Sequence, residues 1–216
     1  MKFRIIGLLL LFLAILSFTG TGFSQDDFEG KVTFNLTSDD GKTNTMDYYV
    51  MGDKIRFDAD MEGHNGQIIM NTGTKQFMII MPEQKMYMVM PVPEKEMSSK
   101  NHEGMGKNAD FSNTGETKEI LGYTAEKWIY KDEDKQGEAW LTKGIGTFKL
   151  LSNPMQNADK PQWQRELEGG GYFPLLVSEN GKTVFEVTNI EKKSLDKSMF
   201  EPPAGFQKMD IPNMHN

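Results

Sequence analysis

From Phe28 to Thr37 the chain alternates without a break: Phe28, Gly30, Val32, Phe34 and Leu36 are set against Glu29, Lys31, Thr33, Asn35 and Thr37. A helix scatters such a set around its axis, whereas a strand sends successive side chains to opposite faces, so this stretch reads as a strand apolar on one face only. The same period recurs over residues 45–51 and 54–61 after turns at 38–41 and Gly52-Asp53. Consecutive hairpins of this kind make an antiparallel meander.

The alternation changes character further along. Residues 66–71, 76–81 and 85–90 continue the meander, but Phe77, Ile79 and Met81 point one way while Met78 and Ile80 point the other, and Met86, Met88 and Met90 oppose Tyr87 and Val89. Strands apolar on both faces need a second cover, either a helix, the other half of the chain, or an apolar ligand. Residues 91–113 then lose every pattern and read as a flexible loop. Strands resume at 117–121, 123–131 and 138–142. A helix is predicted from Asp159, with Gln162 three residues on and Trp163 and Leu167 sharing a face, ended by Gly169-Gly170-Gly171. A hairpin over 173–178 and 182–190 turns at Asn180-Gly181. The ending Phe200-Glu201-Pro202-Pro203-Ala204-Gly205-Phe206 is held extended by its prolines.

The N-terminus supplies an address. Met1-Lys2-Phe3-Arg4 is a short basic head, residues 5–18 are apolar and uncharged, and Gly22 and Ser24 are small residues at peptidase spacing. Residues 1–24 therefore read as a signal peptide, and residues 25–216 as a single domain of a protein exported to the bacterial periplasm or beyond. An apolar run of that length falls short of the roughly 20 residues that cross a bilayer, so the mature form is expected to have no transmembrane segment. Lys2 and Arg4 leave with the signal, so 24 basic residues become 22 against 31 acidic, a net charge of −9. That sign argues against nucleic acid as a partner. There is no cysteine, hence no disulfide and no lipidated N-terminal Cys.

Catalytic chemistry finds little footing. The histidines are His64, His102 and His215, all in predicted loops or the tail, and there is no G-x-S-x-G turn. The polar row Lys54, Arg56, Asp58 and Asp60 reads as a solvent-facing sheet surface, and Asp132-Glu133-Asp134 as a charged turn rather than a calcium loop. Methionine is abundant, at 16 residues. Soft copper(I) would suit the neighbours Met61 and His64 or His102 and Met105, which stand as the metal alternative.

The stretch Tyr49-Val50-Met51-Gly52-Asp53-Lys54-Ile55-Arg56, the run from Thr114-Gly115-Glu116 through Gly122-Tyr123 with Glu126-Lys127, the Trp140-Leu141-Thr142 strand and the ending Phe200 to Phe206 resemble bacterial secreted proteins carrying the domain of unknown function 4412. Such proteins resemble in turn the LolA/LolB lipoprotein carriers. The resemblance implies a mostly antiparallel β (α+β) fold, an open, strongly curved half-barrel sheet with one or two helices on its concave face. It implies no catalytic residues. On that fold the chain is expected to be a non-enzymatic binder of an apolar small molecule, lipid or acylated lipoprotein partner, with no cofactor. The expected cavity lining is Phe34, Phe57, Met78, Met86, Met88, Trp128 and Trp140. An envelope protein–protein interaction module without small ligand is the alternative.

Overall fold

The computed structural model describes residues 28–61, 64–91, 110–131, 136–149, 167 and 170–209. Its strands are β1 (Gly30–Thr37), β2 (Thr43–Met51), β3 (Lys54–Met61), β4 (His64–Asn71), β5 (Gln76–Met81), β6 (Met86–Pro91), β7 (Asp110–Ile120), β8 (Tyr123–Lys131), β9 (Gln136–Thr142), β10 (Phe173–Glu179), β11 (Lys182–Lys192) and β12 (Gln207–Lys208). They form one sheet in the order β12-β6-β5-β4-β3-β2-β1-β11-β10-β9-β8-β7. The first half of the chain walks outward from the centre, β1 to β6. The second half starts at the opposite edge with β7 and walks back to β11, which pairs with β1. All neighbours are antiparallel except β12, which lies parallel to β6. β7 and β12 end the order without meeting, so the curved sheet is open.

The hairpins carry the backbone geometry their sequences demand. Asn180 and Gly181 take φ of 48° and 75°, the left-handed pair that matches the twist of the flanking strands, and Leu121 and Gly122 do the same at 51° and 81°. At β8–β9, Tyr130 pairs with Gly137, and a Cβ on Gly137 would sit 2.5 Å from the Tyr130 Cζ and Oη. The glycine leaves room for the buried ring.

β7 opens at Asp110, inside the segment 91–113 expected to be a loop, and residues 92–109 lie outside the described residues. Its polar sequence hid its first part, residues 110–116: an edge strand has no buried face to impose alternation, and its apolar anchors are Phe111, stacked on Trp128 at 4.8 Å, and Ile120. The one or two helices expected on the concave face are not among the described elements, whose one regular helix is a 3-10 turn, Lys197–Phe200. Of the helix predicted from Asp159, only Leu167 is described, and it is fully buried.

Candidate functional site

The ladder register sorts every side chain onto one of two faces. On the inner face Val32, Tyr48, Phe57, Ile68, Ile79 and Met88 stand opposite one another in a row across β1 to β6. Beside it run Ile55, Met70, Phe77 and Met90, all buried. Under the central strands this face is filled. Phe148, from the segment after β9, is fully buried among Phe34 (6.0 Å, edge-on), Tyr48 (5.7 Å), Phe173 (5.1 Å) and Phe185 (5.4 Å). Edge-to-face contacts at these spacings add to the burial of the rings. Toward β6 the inner face is less covered: Ile68, Met81, Met86 and Met88 are only half-buried.

The outer face answers what covers strands β4 to β6. After β11 the chain crosses that face and lands on the far edge of β6. Its Phe200 is buried against Ile69 and Ile80, with Met78, Tyr87, Leu195, Met199 and Phe206 packed around them. Glu29 holds the start of this strap through Oε1, which accepts from Leu195 N at 2.6 Å. Asp196 caps the 3-10 turn, accepting from Ser198 N at 2.8 Å, a bond that lowers its carboxyl pKa. At the other end Gln207 N donates to Lys85 O and Met209 N to Tyr87 O. The row Lys54, Arg56, Asp58 was expected to face solvent, yet Arg56 is largely covered. Its Nε and Nη2 grip Asp58 at 2.7 and 3.0 Å while Nη1 donates to Met199 O at 3.0 Å. Tyr49 lies beneath the guanidinium, 5.6 Å from its centroid, and burial pushes its phenol up, helped by Asp47 and Asp58.

The seven expected lining residues separate accordingly. Phe34, Phe57, Met86, Met88 and Trp128 share the inner face: Phe185 pairs with Val177, Val177 with Ala139 and Ala139 with Trp128. Phe34 and Phe57 are buried in the packed core. Met78 pairs with Ile69 on the outer face beneath the strap. Trp140 pairs with Leu176 and Lys127, one step out of phase with Ala139, and Lys118 Nζ caps its ring at 3.8 Å. Trp128 bridges Phe111 and Tyr172, and its indole N–H is buried without a hydrogen-bond partner among the described residues. Of the metal alternative, Met61 and His64 close the β3–β4 hairpin as a backbone pair, while His102 and Met105 lie outside the described residues. The described residues hold no group of three or more His, Cys, Asp or Glu placed to share a metal. No helix among them is long and apolar enough to cross a membrane.

A concavity of about 400 Å³ opens elsewhere, lined by residues that include the apolar Phe28, Val50, Ile55 and Ile145 and the charged Asp53 and Lys149. None of the seven expected residues reaches it.

The sequence model for the domain of unknown function DUF4412 matches residues 28–206. The chain belongs to the DUF4412 family. Its matched region takes in the whole sheet except the last strand. No curated protein matches it by sequence. Among solved structures this DUF4412 chain is similar to PNGF-II (16% identity, TM-score 0.47, covering 85% of this chain and 32% of that one). It is also similar to an uncharacterized conserved protein from Thermus thermophilus (10%, 0.47, 86% and 91%) and to MucB in complex with MucA(peri) (13%, 0.45, 87% and 58%). The chain thus spans about a third of the length of PNGF-II and under two thirds of that of MucB.

Proposed function

We propose that this protein is an exported, non-enzymatic binding module that takes an apolar chain, either a lipid-like molecule or the acyl group of an envelope partner, at the β4–β6 end of its inner face. One observation carries the reading: the inner face is packed by Phe148 and its neighbours under the central strands, but Ile68, Met81, Met86 and Met88 stay half-buried beyond them. Unbranched, polarisable methionine side chains adapt to guests of varied shape. The two-faced character of β5 and β6 does not support the reading, because the strap accounts for it. The test is a fluorescent fatty-acyl probe. Met88→Trp is expected to abolish probe binding while shifting stability by less than about 1 kcal/mol, because the larger side chain enters open space; overpacking a filled core costs about 1–3 kcal/mol. A protein that never binds the probe, and loses stability on that substitution, has no such site.

A second reading, an interaction module without small ligand, draws on β7. It forms a free sheet edge and is exposed from Ser112 to Glu119, open to strand addition, although the register shift between Asn113 and Thr117 and the charges of Glu116, Lys118 and Glu119 discourage indiscriminate pairing.

A further inference from the structure

Five methionines lie on the β5–β6 hairpin: Met78, Met81, Met86, Met88 and Met90. Methionine is not among the side chains that favour strands, which are branched at Cβ or aromatic, so its concentration here calls for another reason. The register gives the five different surroundings. Met78 is under the strap, and Met90 is buried opposite Phe77. Met81, Met86 and Met88 remain, half-buried and on one face. Met81 and Met86 oppose each other at the hairpin mouth, where Lys85 N donates to Pro82 O at 3.2 Å to close the turn. Side chains of a directly opposed pair start roughly 5 Å apart, and the next position on the same face of a strand is about 7 Å away. Three rotatable bonds per methionine give the three thioether sulfurs the reach to meet from those starting points. Met81 and Met88 pack at the edge of the core, whereas among the described residues Met86 belongs to neither packed cluster.

We propose that Met81, Met86 and Met88 form a soft-metal site for copper(I). Neutral thioethers select soft monovalent copper over zinc, magnesium or calcium, which prefer imidazole, thiolate or oxygen ligands. They also carry no proton to lose on binding, so affinity at such a site is insensitive to pH where an imidazole site weakens in acid. This trio is distinct from the Met61–His64 pair, which closes the neighbouring hairpin. The proposal does not rest on the acyl-binding reading.

Silver(I), a redox-silent stand-in of the same softness, is the probe, titrated calorimetrically into the full mature protein in chloride-free buffer. One ion per chain is expected, with the same affinity at pH 7 and pH 5. Met86→Leu and Met88→Leu should each weaken binding at least tenfold. Leucine is close in volume and equally apolar, so both variants should unfold at the wild-type midpoint, which separates loss of a sulfur ligand from loss of the fold. No uptake by the unmutated protein overturns the site. So does undiminished uptake in the Met86→Leu/Met88→Leu double variant, and so does binding that falls at pH 5 and disappears in His64→Ala.

Discussion

Removing the Phe200 ring tests whether the C-terminal strap is part of the fold or a decoration on it. Phe200 is 4% exposed and seals Ile69 and Ile80, themselves 3% and 1% exposed. Truncating a buried phenylalanine to alanine costs about 3–5 kcal/mol, from lost transfer energy and the cavity left behind. Here the strap can settle partway into the gap, so the lower end, about 3 kcal/mol, is the expectation for Phe200→Ala. Against a total stability of about 5–15 kcal/mol that is a severe loss. With a urea slope of about 2 kcal/mol/M, the unfolding midpoint should fall by about 1.5 M at unchanged slope. Trypsin should also cut sooner at Lys193, ahead of the released turn, and at Lys197, its first residue. A midpoint shift under about 0.5 M with cleavage at Lys197 unchanged would refute the packing described for the outer face.

Two further outcomes follow from the geometry and one from the N-terminal sequence. Gly137→Ala should destabilise by about 1–3 kcal/mol in denaturant titration, because its Cβ would fall on the Ser178 carbonyl, which cannot swing away, and on the Tyr130 ring. Burial first, and the charge of Glu179 second, hold the Tyr130 phenol far above its usual value. The unfolded chain therefore loses that proton first, and the stability this group contributes, complete below about pH 10, should decline as pH rises beyond it, a decline that Tyr130→Phe reduces. Intact mass of the exported protein should correspond to a chain beginning at Gln25; a species retaining residues 5–18 would make that segment an anchor.

Much of the sheet was legible because burial on one face imposes period two. Even the face assignments of Phe77, Ile79 and Met81 against Met78 and Ile80 agree with the ladder. Alternation is a local signal, however, and the cover of a second face is not local. Ile69 and Ile80 are sealed by Phe200 from the other end of the chain, and nothing near β4 or β5 announces it. The available clue was the pair Phe200 and Phe206 flanking two prolines, an apolar segment that could be neither helix nor central strand. Trp140 misled for a different reason. From Ala139 to Thr142 every residue of β9 is buried, so no alternation chooses a face, and the stems of Lys118 and Lys127 bury an indole on the side that would otherwise be wet. The first part of β7, residues 110–116, escaped because a polar edge strand carries little pattern, whereas residues 117–120 were legible as a strand.

The strap also orders events in time. β1 to β6 are complete as a meander once residue 91 has emerged, yet the outer side of that meander presents Ile69, Met78, Ile80 and Tyr87 until Phe200 and Phe206 arrive. A chain threaded N-terminus first must therefore carry a sticky half-sheet through the synthesis of the whole second half of the sheet. Only a late segment ends this exposure. Loss of the residues from Phe200 onward should consequently be felt less as a shortened tail than as an aggregation-prone N-terminal half that was never finished.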